Sequence, residues 1–150
     1  MKGPKRRRAN ASGRNEGEQF LPLPYSTTRC DAWRSLSGPA VKVWIELRSR
    51  YNGGNNGKLS LSWDEAVRLL GLGKGTVGRA FKELQAKGFG VIVRRGRWYG
   101  RLATEWRLTD LSCDGHPPTK DYLKWHKPLK VRKSEVGFSA DHIEAMMGQP

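Results

Sequence analysis

The sequence predicts a mostly α-helical chain with a small β hairpin, an α+β fold in one domain with a tail at each end. Apolar residues recur at helical spacing through the middle of the chain, and glycines interrupt that pattern. Two stretches rich in β-branched and aromatic residues then flank a glycine-bracketed turn, as expected of a hairpin. At 150 residues the chain has room for one core.

The first half of the domain is predicted to contain two helices and a strand. Residues 31–36 have a short helical pattern. The tripeptide Ser-Gly-Pro at 37–39 is typical of a helix start, and apolar residues follow at helical spacing as far as Tyr51. The glycine- and asparagine-rich run 52–57 ends that helix in a loop, and residues 58–61 favour a short strand.

The second half begins with two helices. Ser62 and Glu65 form a capping box that opens a helix, and the glycine-containing turn 71–73 ends it. A longer amphipathic helix is predicted over 74–87, with Gly88 at its end. The remaining predicted elements are strands over 91–95 and 103–109 and the turn 96–101 between them.

Composition divides the chain into three parts. Residues 1–18 carry many Lys, Arg, Gly and Asn and no large apolar side chain after Met1, so we expect a disordered basic arm. Residues 19–112 are expected to form the domain, with the proline-restricted segment 20–25 extended across its core. Residues 113–150 are expected to form an irregular tail with a short amphipathic helix near 139–147.

The element order predicts a winged helix-turn-helix, since two short helices joined through a glycine turn precede a hairpin. Four motifs carry a resemblance over residues 20–116: FLPLPYS at 20–26, RYNG at 50–53, GLGKGT at 71–76 and RGRWYGR at 95–101. On these motifs the chain resembles bacterial winged-helix DNA-binding proteins, in particular small helix-turn-helix proteins of alphaproteobacterial plasmids and prophages. The resemblance implies a transcription regulator or a protein similar to replication initiators. Gly73, Gly75 and Gly78 stand where such proteins commonly carry Ser or Ala.

The charge balance points to a polyanionic partner. The chain has 28 basic and 14 acidic residues, and sixteen of the basic residues lie with seven acidic ones in the predicted domain. Nucleic acid or an anionic membrane would suit such a surface. Apolar runs are only a few residues long, which argues against a membrane, and two cysteines suit a reducing cytosol. We expect a cytoplasmic, nucleoid-associated protein whose partner is double-stranded DNA.

The helix over 74–87 is the predicted recognition helix. Its apolar residues share one face, and the opposite face carries small and basic residues. In a major groove, Arg79 could donate a bidentate pair to guanine, and Thr76 could meet a thymine methyl group or a phosphate. The alternative is an ordinary solvated helix face. The predicted DNA-binding residues of this helix are Lys74, Gly75, Thr76, Gly78, Arg79 and Lys82.

The hairpin is predicted to act as a wing on the minor groove and its phosphates. Arginines at a hairpin tip suit a narrow minor groove. The neighbouring aromatic residues have two open interpretations, packing beneath the wing or contacting the DNA backbone. The predicted wing residues are Arg94, Arg95, Arg97, Trp98, Tyr99 and Arg101.

The two tails add weaker expectations. Lys5, Arg6, Arg7 and Arg8 of the basic arm could track phosphates or enter a minor groove, or could serve solubility alone. The C-terminal tail could dock on its own domain, on a second subunit or on a partner protein. Because no long dimerisation helix is visible, we expect a monomer that could self-associate on DNA.

Two motifs suggest other functions but lack the required context. Residues 73–78 match G-x-G-x-x-G, yet an amphipathic helix precedes them instead of a strand, so a dinucleotide site is not expected. Cys113 and His116 form one ligand pair, whereas a closed zinc site needs four ligands. No nucleophile motif or paired carboxylates stand out. We therefore expect no enzyme activity, no cofactor and no metal.

The sequence thus favours a sequence-specific DNA-binding transcriptional regulator, more specifically a repressor that covers a promoter. One alternative is a plasmid or prophage replication or maintenance factor that binds origin repeats through the same chemistry. The other is a winged-helix module that mediates protein interactions and no longer reads DNA.

Overall fold

The computed structural model describes residues 19–129, which form a mixed α/β domain. The disordered arm expected at 1–18 and the helix expected near 139–147 lie outside the described residues. Within 19–129 there are five α-helices and a three-stranded antiparallel sheet. The helices and strands are α1 (Tyr25–Thr28), α2 (Asp31–Arg34), α3 (Gly38–Ser49), β1 (Leu59–Ser60), α4 (Trp63–Leu70), α5 (Lys74–Ala86), β2 (Gly90–Arg94) and β3 (Glu105–Leu108).

Helices α2 to α5 begin and end close to the positions predicted from local sequence, whereas α1 was not predicted and starts at Tyr25, the last residue of the segment expected to be extended. Ser37 caps α3 by accepting a hydrogen bond from the Ala40 amide, and Ser62 caps α4 by accepting one from the Glu65 amide. Gly71 ends α4 in the left-handed conformation, with φ of 64°, which costs glycine little. In the capping box, the carboxylate of Glu65 binds Arg50 at 3.0 Å.

Helices α3 and α5 pack against each other and are tied at their ends. The Glu83 carboxylate of α5 accepts hydrogen bonds from the amide and hydroxyl of Ser37 at 3.0 and 2.5 Å. Lys87 reaches the same carboxylate at 2.7 Å and donates to the Ser35 carbonyl at 2.6 Å. Partial burial opposes ionisation of Glu83, but the bonds from Lys87 and Ser37 hold its pKa below the ordinary value.

The sheet has the order β1-β3-β2, so β3 lies in the middle. Trp106 of β3 lies opposite both Leu59 of β1 and Ile92 of β2. The β2–β3 register shifts between Ile92 and Arg94, and this bulge brings Arg94 opposite Glu105. The two flanking strands form the edges of the sheet, and of these β1 is very short, with only two residues.

The core is formed between the sheet and the helices and is rich in aromatic rings. Phe81 of α5 stacks on Trp106 with centroids 5.0 Å apart. Trp44 of α3 meets Phe89 edge-on at 6.2 Å, and Trp33 of α2 meets Trp44 in the same way at 5.2 Å. Such contacts add to the hydrophobic free energy of burying the rings.

The segment before α1 crosses the domain surface, but most of its apolar side chains do not cover the core as expected, since Phe20 is 84% and Leu23 38% exposed. Leu21 packs against the core, and Arg48 of α3 donates to the Pro22 carbonyl at 2.9 Å. The same guanidinium forms a buried ion pair with Asp110, just after β3. This arginine therefore connects the N-terminal segment, α3 and the end of the sheet.

The packed part of the chain continues beyond residue 112, which is the last residue of the domain predicted from the sequence. Residues Asp121–Lys124 form a short 3-10 turn that places Tyr122 in the core. The Tyr122 ring stacks on Phe89 with centroids 4.8 Å apart, and its hydroxyl lies 3.1 Å from the Thr27 hydroxyl. The C-terminal segment up to Tyr122 is therefore a structural part of the domain.

Candidate nucleic-acid interface

Helix α5 has the two faces that its periodicity predicts. Val77, Ala80, Phe81 and Leu84 are buried, as expected from their spacing. Lys74, Gly75, Arg79 and Lys82 are exposed, and Thr76 and Gly78 are half-buried. The predicted recognition residues thus lie on or beside the solvent side of the helix.

Arg79 lies back along the first turn of α5. One of its guanidinium nitrogens, Nη2, donates to the Thr76 hydroxyl at 3.2 Å. A Cβ atom built on Gly75 would lie 3.9 Å from the other nitrogen, Nη1. Helical side chains point toward the N-terminus, and this one reaches the turn that contains Gly75. The guanidinium is thereby held near the N-terminal end of α5.

Trp63 of α4 contributes a half-exposed ring beside α5. A Cβ atom on Gly78 would lie 3.9 Å from Cζ2 of this indole, which is an ordinary van der Waals distance. The same ring is tilted against Phe81 with centroids 6.3 Å apart. Gly78 therefore faces Trp63, and its half-burial comes from that ring.

Lys74 is held by an acidic neighbour. Its ammonium nitrogen lies 3.2 Å from a carboxylate oxygen of Asp64 in the first turn of α4. Both side chains are about three-quarters exposed, at 72% and 74%. Solvent screening makes such a pair weak, so a phosphate could replace the carboxylate at little cost.

The hairpin turn has a defined backbone. Arg97 and Leu102 exchange backbone hydrogen bonds of 3.1 and 3.4 Å, and Trp98–Gly100 form a 3-10 turn between them. A Cβ atom on Gly96 would lie 2.6 Å from the Leu102 carbonyl oxygen, so only glycine fits there without a backbone shift.

The predicted wing arginines differ in their partners. Arg95, Arg97 and Arg101 are exposed, and within residues 19–129 no carboxylate oxygen lies within 4 Å of their charged groups. Arg94, by contrast, donates to the Glu105 carboxylate at 2.6 Å. Tyr99 is fully exposed, so it does not pack beneath the wing. The side chain of Trp98 is outside the described part of the structure.

The hairpin turn and the N-terminal end of α5 point toward the same end of the domain. Phe81 of α5 stacks on Trp106 of β3, and Trp106 lies opposite Ile92 of β2. These contacts show which part of α5 lies over the middle of the sheet. Thr109, just after β3, binds the Gly88 carbonyl beyond the C-terminal end of α5, so β3 runs alongside α5 in the same direction and its antiparallel neighbour β2 runs back toward the N-terminal end of the helix. Strand β2 continues past Ile92 to Arg94, and the turn that carries Arg97 follows it. Arg79 and the wing arginines are therefore exposed at one end of the domain.

Other predicted features have simpler local roles or lie elsewhere. Lys5, Arg6, Arg7 and Arg8 are outside the described residues. Cys113 and His116 exchange backbone hydrogen bonds across a tight turn. Residues 19–129 hold no group of three or more side chains suited to binding a metal ion. In the same range no helix is long and apolar enough to cross a bilayer.

Three neighbours of this surface were missed by the sequence analysis, namely Trp63, Asp64 and Glu105. Asp64 and Lys74 are ten positions apart, and only the turn between α4 and α5 brings them together. Counting strand positions from the hairpin turn could have suggested a partner for Glu105, but the bulge shifts the register.

The chain was also compared with known proteins. No protein-family model matches it, and no curated protein or solved structure matches it significantly.

Proposed function

We propose that this protein binds double-stranded DNA in a sequence-specific manner and acts as a bacterial transcriptional regulator, most simply as a repressor that covers a promoter. The observation that carries the proposal is the exposure, at one end of the domain, of the N-terminal half of α5 and of three hairpin arginines that have no acidic partner among the described residues, namely Arg95, Arg97 and Arg101.

The fold of this protein would be a winged helix-turn-helix. Helix α3, strand β1, helices α4 and α5 and the β2–β3 hairpin follow one another in the order that this architecture requires. The central position of β3 between β1 and β2 supports the same assignment. Helix α4 and helix α5 would be the helix-turn-helix pair, and residues 94–101 would form the wing.

In this mode α5 would enter the major groove, led by its N-terminal half. Arg79 would donate two hydrogen bonds to a guanine, and its present bond to Thr76 holds the guanidinium close to that end. Lys82 would approach a phosphate at the groove edge. Arg95, Arg97 and Arg101 would contact phosphates and the minor groove beside it.

The proposal is tested by comparing helix variants with wing variants, which should differ in their effects on affinity for target DNA and for random DNA. Target sites are first selected from a random duplex pool, and binding to target and random DNA is then measured for each variant. Arg79→Ala should cost about 1–3 kcal/mol on the target and little on random DNA, since it removes a base contact. A variant with both Arg95→Ala and Arg97→Ala should weaken binding to both DNAs, since phosphate contacts carry no sequence information.

Arg34→Ala is the matched control for these variants. Arg34 is an exposed arginine next to Ser35, whose carbonyl binds Lys87 at the C-terminal end of α5. Its loss should leave both affinities nearly unchanged. If no duplex sequence is enriched, or if Arg34→Ala is as harmful as the wing variant, the proposed surface is wrong.

Two alternative functions are compatible with the same observations, and DNA-binding experiments distinguish them from a repressor. A replication or maintenance factor would footprint an array of direct repeats, whereas a repressor would protect one site that overlaps a promoter. A winged-helix module for protein interaction would bind duplex DNA weakly and without sequence preference.

A further inference from the structure

We propose that Glu105 limits the affinity of this protein for DNA by withholding Arg94 from the phosphate backbone. This inference rests on the proposed DNA-binding function. It divides the wing arginines into three that are available to a phosphate and one that is neutralised within the protein.

The β-bulge in β2 creates the pair. Ile92 lies opposite Trp106, and the next paired position joins Arg94 to Glu105, so Val93 is the extra residue. In a regular ladder Val93 would face Glu105, and Arg94 would lie one position further along. The bulge therefore places the arginine and the carboxylate side by side on neighbouring strands.

The geometry makes this pair tighter than the other ion pair of the surface. Arg94 Nη2 lies 2.6 Å from Glu105 Oε1, whereas Lys74 Nζ lies 3.2 Å from Asp64 Oδ1. The Glu105 side chain is 23% exposed, against 74% for Asp64. A less solvated carboxylate is screened less by water and salt, so it competes better with an incoming phosphate.

The other three arginines of the hairpin differ from Arg94 because they are free to contact a phosphate. Arg95 is the next residue in the chain, and Arg97 and Arg101 lie in the same hairpin. None of these three has a carboxylate oxygen within 4 Å among residues 19–129. Each can therefore release a counterion from DNA when it meets a phosphate. Arg94 would first have to break its ion pair with Glu105, so a new contact with a phosphate would add little net binding free energy.

The consequence is weaker attraction to DNA of any sequence. Backbone contacts supply essentially all non-specific affinity, and competing genomic sites hold a protein away from its target. A carboxylate that cancels one contact would keep the protein mobile among those sites, and the base contacts of α5 would be untouched.

The experiment is a double-mutant cycle on duplex binding. Wild type, Arg94→Gln, Glu105→Gln and the double variant are titrated with random and target duplexes across a salt series. Glu105→Gln should tighten binding to both duplexes by about five- to tenfold at 0.1 M salt and steepen the slope of log K against log salt by about 0.9, the effect of one added contact. Arg94→Gln alone should change affinity by less than about twofold.

The double variant decides between pairing and simple repulsion. If Glu105 acts by holding Arg94, the double variant returns to within about twofold of wild type. If Glu105 only repels phosphates, the gain persists without Arg94, and the proposal is overturned. An unchanged affinity of Glu105→Gln also overturns it.

Two controls keep the result interpretable. Arg95→Gln should weaken binding to random DNA in the wild-type background, because this neighbour has no carboxylate to neutralise it. Thermal melts check folding, and Glu105→Thr replaces the glutamine variant if that variant is destabilised, since Thr suits a strand.

If wild type shows no salt-dependent duplex binding, both the proposed function and this inference fail; if wild type binds but the cycle shows no coupling, only the inference fails.

Discussion

The glycines of α5 are the residues at which helix stability and the proposed function are in conflict. Glycine in a helix interior costs about 1 kcal/mol relative to alanine, and α5 contains both Gly75 and Gly78. Neither position is sterically closed, since an added Cβ atom would have ordinary contacts in both cases. Their neighbours differ, however. Gly75 is exposed beneath the Arg79 guanidinium, and Gly78 faces the ring of Trp63.

Gly75→Ala should stabilise the free protein by up to about 1 kcal/mol and weaken its binding to target DNA, because the added methyl group separates the helix backbone from the groove. Gly75→Val should weaken binding further. Thermal melts and binding isotherms on the same proteins measure the two effects.

Gly78→Ala is the matched substitution. Its methyl group would contact Trp63, so it should give similar stabilisation with unchanged affinity. Stabilisation with full affinity in the Gly75 variants as well would contradict a close approach of α5 to DNA.

At the scale of elements, the segment after the sheet is the main addition to the expected fold. The 3-10 turn Asp121–Lys124 contacts α2 and adds a buried aromatic ring to a core otherwise built from the helices and sheet. Trp125 packs against the same cluster, with the Lys87 ammonium 5.3 Å from its ring centroid. This segment therefore stabilises the side of the domain formed by α2 and the end of α5.

Tyr122→Ala should destabilise the protein by about 3–5 kcal/mol, the usual cost of removing a buried aromatic ring. Tyr122→Phe should cost about 1 kcal/mol, since it keeps the stack on Phe89 and loses the bond to Thr27. Urea unfolding of both variants measures these free energies. Leu123→Ala, at a half-exposed neighbour, is the control, and an equal loss there would mean that the segment is not anchored by Tyr122.

At the scale of the whole molecule, excess positive charge is the property most relevant to the proposed function. The chain carries a formal charge of +14, and several acidic groups are already paired with basic side chains inside the domain. Glu65 illustrates this, because the hydrogen bond from Arg50 holds its pKa below the ordinary value. The cations left without such partners on α5 and the hairpin would dominate the interaction with a polyanion.

Binding to duplex DNA should therefore depend steeply on salt. With about six to eight phosphate contacts, log K should fall against log salt with a slope of about −5 to −7, taking −0.9 per contact. Fluorescence anisotropy between 0.05 and 0.3 M salt, about the range in which such slopes are measured, gives this value. A slope shallower than about −2 would mean that few of these cations contact phosphates.

Much of the helical structure follows from local sequence. The spacing of Val77, Ala80 and Leu84 defines the buried face of α5, and the hydroxyls of Ser37 and Ser62 define where α3 and α4 begin. These signals act within one or two turns, so periodicity and capping are enough to read them. The exposure of the predicted basic residues of α5 follows from the same pattern.

Long-range packing accounts for what the sequence pattern did not reveal. Tyr122 lies 95 positions from its hydroxyl partner Thr27, in a segment without regular hydrophobic spacing, so no local signal marks it as core. Arg94 and Arg95 are adjacent arginines with similar local sequence, yet a single extra strand residue gives the first of them a carboxylate partner. Periodicity can assign a residue to a face, but partners depend on register and on chain segments that meet only in the folded domain.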